Sequence, residues 1–312
     1  MARQKIIIDC DPGVDDAIAI LLALGAPEEI ELLGITTVAG NVELKQTTRN
    51  ALGIVNLAGR SDIGVYAGCN RPLMRASGHR SIMHHSDGLG GVQLDAATTP
   101  RDRHAIDFII DNVMANAGEV TLCPIGPMTN IAMALLKEPR LGANIKRIVF
   151  MGGAAFRPGN TTPAAEFNIY VDPHAAHIVA TSGVPLIMFG LDVTSSVIAT
   201  PERLEPLRAI QTDVARKAVA MLTAYAKGDP CLHDPCVVGW LLAPDLFSGV
   251  DAFVEIDCLP GLNYGRTVVS VIERHMAGRS PNCKVITAAD CDGFFDLLGS
   301  LAVGDKTLAL QS

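Results

Sequence analysis

The chain has 312 residues, of which 49% are apolar and 19% charged, with 33 acidic against 25 basic side chains and a formal net charge of −8. That balance excludes a disordered, strongly solvated chain and disfavours a polyphosphate-binding surface. Aromatics at 4% leave little for a single-strand stacking platform.

No apolar run approaches the ~20 residues of a membrane span, and Ile6–Ile8 is too short for a signal-peptide core. The sequence therefore reads as cytoplasmic, with neither membrane nor nucleic acid among its partners. The eight cysteines are scattered, form no CxxC pair and show no Cys/His cluster at zinc spacing. They read as reduced thiols.

In chain order, Lys5–Asp9 reads as a buried strand and Val14–Leu24 as a helix with an apolar face. Glu31–Val38 is again a strand and Glu43–Leu57 a helix. A short strand at Asp62–Tyr66 precedes a long stretch without regular pattern. Asp102–Asn116 is helical, Glu119–Pro124 a strand, Asn130–Lys137 a helix and Ile145–Met151 a strand. Asp172-Pro173 has the form of an N-cap with proline in the first turn, opening a helix to about Thr181. Pro185–Phe189 is a strand. Helices follow at Pro201–Ile210, Asp213–Ala226 and Asp234–Leu242, then strands at Val254–Asp257, Arg266–Val271 and Lys284–Thr287, and a last helix at Ala289–Leu301. This alternation predicts an α/β fold: an open, mostly parallel central sheet flanked by helices, in a single large domain spanning 1–312. Ligands of such sheets sit beyond the carboxyl ends of the strands.

The first strand ends in Asp9-Cys10-Asp11-Pro12-Gly13-Val14-Asp15-Asp16, four carboxylates in eight residues. One of them can cap the next helix. Four crowded together repel one another unless a cation is present, and oxygen-only donors suit a hard divalent ion. Other polar groups follow strands or precede helices: Val38-Ala39-Gly40-Asn41, Gly159-Asn160 through Glu166-Phe167-Asn168, and His233-Asp234-Pro235. Each also has a bland reading as a turn or a helix cap. Phe167, Tyr225 and Met151 are candidates to line a pocket, with core packing the plainer reading for Tyr225 and Met151. Trp240 reads as core.

These segments, together with Ile35–Asn41, Ile125-Gly126-Pro127-Met128-Thr129-Asn130, Met151-Gly152-Gly153 and Asp172-Pro173, stand in the order of the inosine–uridine-preferring nucleoside hydrolase family, which the chain resembles from Ile6 to about Pro235. The resemblance implies a Rossmann-like hydrolase that cleaves the N-glycosidic bond of ribonucleosides with calcium as cofactor. It implies a calcium held by Asp11, Asp16, the carbonyl of Ile125 and Asp234, with Asp11 also the base that deprotonates the attacking water. The family often has Thr where this chain has Ile125, a change that a carbonyl ligand tolerates. Asp15 is expected to accept from the ribose 2′-hydroxyl. Asn41, Asn160, Glu166 and Asn168 are expected as further ribose contacts, with Phe167 beside them. His233 is the expected leaving-group residue, with His84 or His85 as a second candidate. A pyrimidine or mixed inosine–uridine preference and a homodimer or homotetramer complete the expectation. Two other classes fit parts of the pattern. A magnesium-dependent phosphatase would use the first-strand Asp9-x-Asp11 but lacks the Thr expected soon after it, and a nucleoside-binding protein would keep the pocket without turnover.

Overall fold

A computed structural model describes residues 3–75 and 87–301. Its nine strands are β1 (Gln4–Cys10), β2 (Ile30–Thr37), β3 (Val65–Ala67), β4 (Thr121–Pro124), β5 (Arg147–Met151), β6 (Leu186–Phe189), β7 (Phe247–Ile256), β8 (Thr267–Ser270) and β9 (Cys283–Ala289). They form one mixed sheet in the order β3-β2-β1-β4-β5-β6-β9-β7-β8. From β3 to β9 neighbouring strands are parallel. β7 runs antiparallel to both β9 and β8, so the mostly parallel sheet expected from the sequence is observed with an antiparallel edge.

Burial on both faces explains why β1 is a continuous apolar run rather than an alternating one. Ile6 and Ile8 belong to one apolar cluster, with the helices Val14–Gly25 and Pro235–Leu242, whereas Ile7 faces a second, with Ala105–Ala115 and Thr129–Lys137. Adjacent residues of a strand point to opposite faces, so three isoleucines in a row tie both helical layers to one strand.

The order 3-2-1-4-5-6 within the parallel part places the chain reversal between β1 and β4. A crevice opens at such a reversal, beyond the carboxyl ends of the strands. Those two ends carry Asp9-Cys10-Asp11 and Pro124-Ile125-Gly126. They are locked in register: Asp9 is opposite Pro124, and the Ile125 amide donates to the Asp9 carbonyl at 2.8 Å.

Several spans differ from expectation. Asp62 and Ile63 turn rather than pair, and β3 begins at Val65. β7 starts at Phe247, seven residues before the predicted Val254. Its first half is largely exposed and carries a register irregularity at Ser248/Gly249, which hides the alternation. Gly249 admits the close approach of the β9 backbone, since a Cβ there would strike the Val285 carbonyl. The one-turn helices Leu141–Asn144, Phe167–Val171 and Leu191–Thr194 are too short to show a helical period.

Candidate active site

The turn after β1 brings its acids together. Pro12-Gly13 ends the strand, and the helix Val14–Gly25 starts at once, with Asp15 and Asp16 in its first turn. Asp16 reaches back: one carboxylate oxygen accepts from the Gly13 amide at 2.9 Å and the other from the Asp11 amide at 3.1 Å. Asp11 Oδ2 accepts from the Asn41 amide at 2.6 Å. Its Oδ1 is buried without a hydrogen-bond partner among the described residues. Gly40 and Gly126 flank this carboxylate so closely that a Cβ at either would collide with it.

Asp234 arrives from the far end of the chain. It precedes Pro235 at the start of a helix but makes no side-chain cap bond. Asp172, in the same Asp-Pro context, does cap, accepting from the Ala175 amide at 3.1 Å. The carboxylate of Asp234 instead meets Asp15 and Asp16, with one oxygen from each of the three lying within 4.8 Å of the others, all buried.

Burial raises Asp11 and Asp234 well above the usual carboxylate range, and neighbouring carboxylates add to the effect: Asp16 on Asp11, and Asp15 then Asp16 on Asp234. Asp16 is pushed up to about 7, by burial first and Asp15 second. Such a group holds its full negative charge only with a cation at its centre. The all-oxygen donor set and the unpartnered Asp11 Oδ1 fit a hard divalent ion.

Asp9, counted with these acids in the sequence, has a different place. Its Oδ1 accepts from Thr36 at 2.5 Å and from Asn130 at 2.7 Å. Asn130 also bonds the Thr37 carbonyl and the Cys69 amide. Asp9 is thus a buried brace between strand ends, raised to about 7 because burial outweighs those two hydrogen bonds.

Above the acids lies a cleft. Asp15, Asn41, Ile125, Asn160, Glu166, Phe167, Asn168, His233 and Asp234 all line it. Asp11 and Asp16 are fully buried and bonded to its wall through Asn41. His84 and His85 lie outside the described residues.

The loop from Asn160 to Asn168 is held by its own polar groups. Glu166 caps the helix Phe167–Val171, accepting from the Asn168 and Ile169 amides at 2.8 and 3.1 Å, and it takes a third bond from Gly153 at 2.9 Å. Gly153 stands at φ +85°, a conformation that glycine adopts without strain. Burial nonetheless raises the Glu166 carboxyl. Asn160 accepts from the Phe167 amide at 3.0 Å. Asn168 donates to the carbonyls of Ile125 at 3.0 Å and Met151 at 3.2 Å.

His233 is clamped at both ring nitrogens, with Nδ1 2.7 Å from Thr194 Oγ1 and Nε2 3.1 Å from Asp229 Oδ2. The pairing holds Asp229 down at about 2 although its partial burial pushes the other way, and the His233 imidazole is raised by the same partner against its burial. Asp229 and Thr194 were not anticipated. Asp229-Pro230 carries no signal that sets it apart from the other Asp-Pro pairs, and Thr194 is 39 residues from the histidine it touches. Met151 and Tyr225, read more plainly as core, are both buried and both line the cleft. Trp240 packs partly buried beneath the Arg147 guanidinium, 5.3 Å from its ring centroid.

A sequence profile described as "Inosine-uridine preferring nucleoside hydrolase" matches residues 6–296. The chain belongs to that family. It is 44% identical over 316 residues to the pyrimidine-specific ribonucleoside hydrolase RihA of Shewanella sp. strain MR-7, covering 97% of this chain and 98% of that protein. It is 40% identical over 307 residues to the pyrimidine-specific ribonucleoside hydrolase RihB of Escherichia coli O1:K1, covering 96% of each. Among solved structures it is similar to the purine-preferring ribonucleoside hydrolase of Gardnerella vaginalis, with a TM-score of 0.90 and 35% identity over 96% of this chain and 98% of that one. Membership makes this nucleoside hydrolase family protein an enzyme of N-glycosidic bond cleavage and sets aside the phosphatase and binding-protein readings. Among the described residues, no helix is long and apolar enough to cross a membrane.

Proposed function

We propose that this chain is a calcium-dependent hydrolase of pyrimidine ribonucleosides. The observation that carries the reading is the buried group of Asp15, Asp16 and Asp234, with Asp11 bonded to Asp16 through its amide, under a cleft lined by Asn41, Asn160, Glu166 and Asn168. Carboxylates, amides and backbone groups so placed match a sugar with several hydroxyls. Asp11, Asp16, Asp234 and the Ile125 carbonyl are the residues that would hold the ion. Calcium bound there would supply positive charge that makes a nearby water more acidic and favours hydroxyl oxygens beside it.

The protein's own groups do the rest. Asp11 takes the proton of the attacking water through Oδ1, the oxygen without an internal partner. Asp15 accepts from the 2′-hydroxyl, and Glu166 and Asn160 orient the 5′-hydroxyl. Asn41 and Asn168 hold the ring between them. The acidic field under the sugar stabilises the positive charge that develops as the glycosidic bond breaks. His233 protonates or orients the departing base, steadied by Thr194 and Asp229. The pyrimidine preference rests on the two bacterial relatives named above.

The test is ribose release from uridine, cytidine, inosine and adenosine, with calcium and with a chelator. Uridine and cytidine should turn over fastest, chelation should stop turnover, and 2′-deoxyuridine should be a poor substrate because it lacks the hydroxyl proposed to bond Asp15. No ribose from any of the four sinks the proposal.

A further inference from the structure

Residues Asp229 to His233 lead into the helix Pro235–Leu242, and Cys231 forms an isolated antiparallel bridge with Ile198. In extended chain, alternate side chains share a side. Leu232 is fully buried, while Asp229, Cys231 and His233 come together. A carboxylate oxygen, the Cys231 Sγ and a ring nitrogen of His233 lie within 4.8 Å of one another. This oxygen, sulfur and nitrogen donor set differs in kind from the all-oxygen cluster nearby. It suits zinc and other thiophilic divalent ions rather than calcium.

The bracing of His233 points the same way. Nδ1 lies 2.7 Å from Thr194 Oγ1 and Nε2 3.1 Å from Asp229 Oδ2. Metal-binding histidines commonly hold their second nitrogen in a hydrogen bond to a neighbouring group, as Nδ1 is held here. Two ligands on a tetrahedral zinc with bonds of ~2.0–2.1 Å stand ~3.3 Å apart, close to the separation already present.

We propose that Asp229, Cys231 and His233 form a second metal site, selective for zinc-like ions, beside the cleft that Asp229 and His233 line. Binding forms metal–oxygen, metal–sulfur and metal–nitrogen bonds. It releases to solvent the Cys231 thiol proton and the proton between His233 and Asp229. Occupation takes His233 out of its work on the leaving base and so inhibits turnover. That inhibition rests on the role given to His233 above, whereas the metal binding does not.

The experiment uses the calcium-saturated protein. Added Co²⁺ should give a near-ultraviolet thiolate-to-cobalt charge-transfer band, and equimolar Zn²⁺ should remove it. Cys231→Ser should lose the band and bind Zn²⁺ at least tenfold more weakly. Cys291→Ser, which removes a thiol 3.8 Å from Ser196 Oγ, should keep both. Zinc should inhibit uridine hydrolysis by the unsubstituted enzyme at concentrations at least tenfold below those needed for Cys231→Ser, which keeps its basal activity. No band, a band that survives Cys231→Ser, or an unchanged zinc affinity in that variant overturns the site. A chain that hydrolyses no nucleoside yet shows the Cys231-dependent band supports the site and refutes only the proposed activity.

Discussion

Asp11 sits between Gly40 and Gly126, with one oxygen bonded and the other facing no protein donor. Replacing it with alanine removes the proposed base while leaving the ribose-facing amides in place. The expected result is a fall of about 10³-fold in kcat for uridine, with a non-hydrolysable ribonucleoside analogue still bound, as calorimetry would show. Full activity in Asp11→Ala would remove it from the base role. Asp229 acts one step further out, by steadying His233. Asp229→Ala should cost about 10–100-fold in kcat with little change in KM. A purely structural part would instead show as a lower unfolding midpoint with kcat unchanged. At this scale the sequence is informative where side chains carry the proposed chemistry, as at Asp11, Asp16 and Asp234. It is silent at Ile125, whose proposed contribution is a carbonyl that every residue owns and which only the family resemblance singled out.

Elements are held to the site by polar joints as much as by apolar packing. Asp172 is one such joint. Its Oδ1 caps the helix Pro173–Ala180, and its Oδ2 accepts from the Leu73 amide at 2.9 Å and the Thr129 hydroxyl at 2.8 Å. Asp172→Ala removes a cap contributing about 1 kcal/mol and leaves donors unpaired at about 1–3 kcal/mol each. A loss of about 3–7 kcal/mol in urea unfolding is expected, and a change below about 1 kcal/mol would show that water replaces these bonds. The Asp-Pro signature reads alike at 172 and 234. Capping uses the first carboxylate, and the second is left for the acidic cluster. Long periodic helices and apolar strands were legible from the sequence. The start of β7 was not, because its register irregularity hides the alternation, and the one-turn helix behind Glu166 was not, because it spans too few residues to show a period.

For the whole molecule, the acid cluster links stability to pH and to divalent ions. Asp11, Asp16 and Asp234 have folded pKa values raised above their unfolded ones, so folding favours their protonated forms. The sign follows directly: without an ion, this contribution is fully present below the ordinary carboxylate pKa near 4. It is lost as pH rises through the folded values, about 7 for Asp16. Chelated protein should therefore lose thermal stability between about pH 4 and pH 7 relative to an Asp16→Asn variant. Calcium should restore it, by about 2.7 kcal/mol at a hundredfold excess over Kd, and more strongly at pH 7 than at pH 4.5. A melting temperature indifferent to calcium at pH 7 would remove the ion from this cluster.

The sequence alone determined the fold class, because strand and helix periods alternate along it. It also determined the family, because short motifs recur in one order from Ile6 to about Pro235. Only the tertiary structure decided which acids work together. It separated Asp9, spent on Thr36 and Asn130, from Asp11 two residues on, and it brought Asp234 to Asp15 and Asp16 across more than two hundred residues. It also placed Thr194 and Asp229 against His233. A strand's register and the chain reversal between β1 and β4 set those distances. They are properties of pairing between distant segments, which no local pattern encodes.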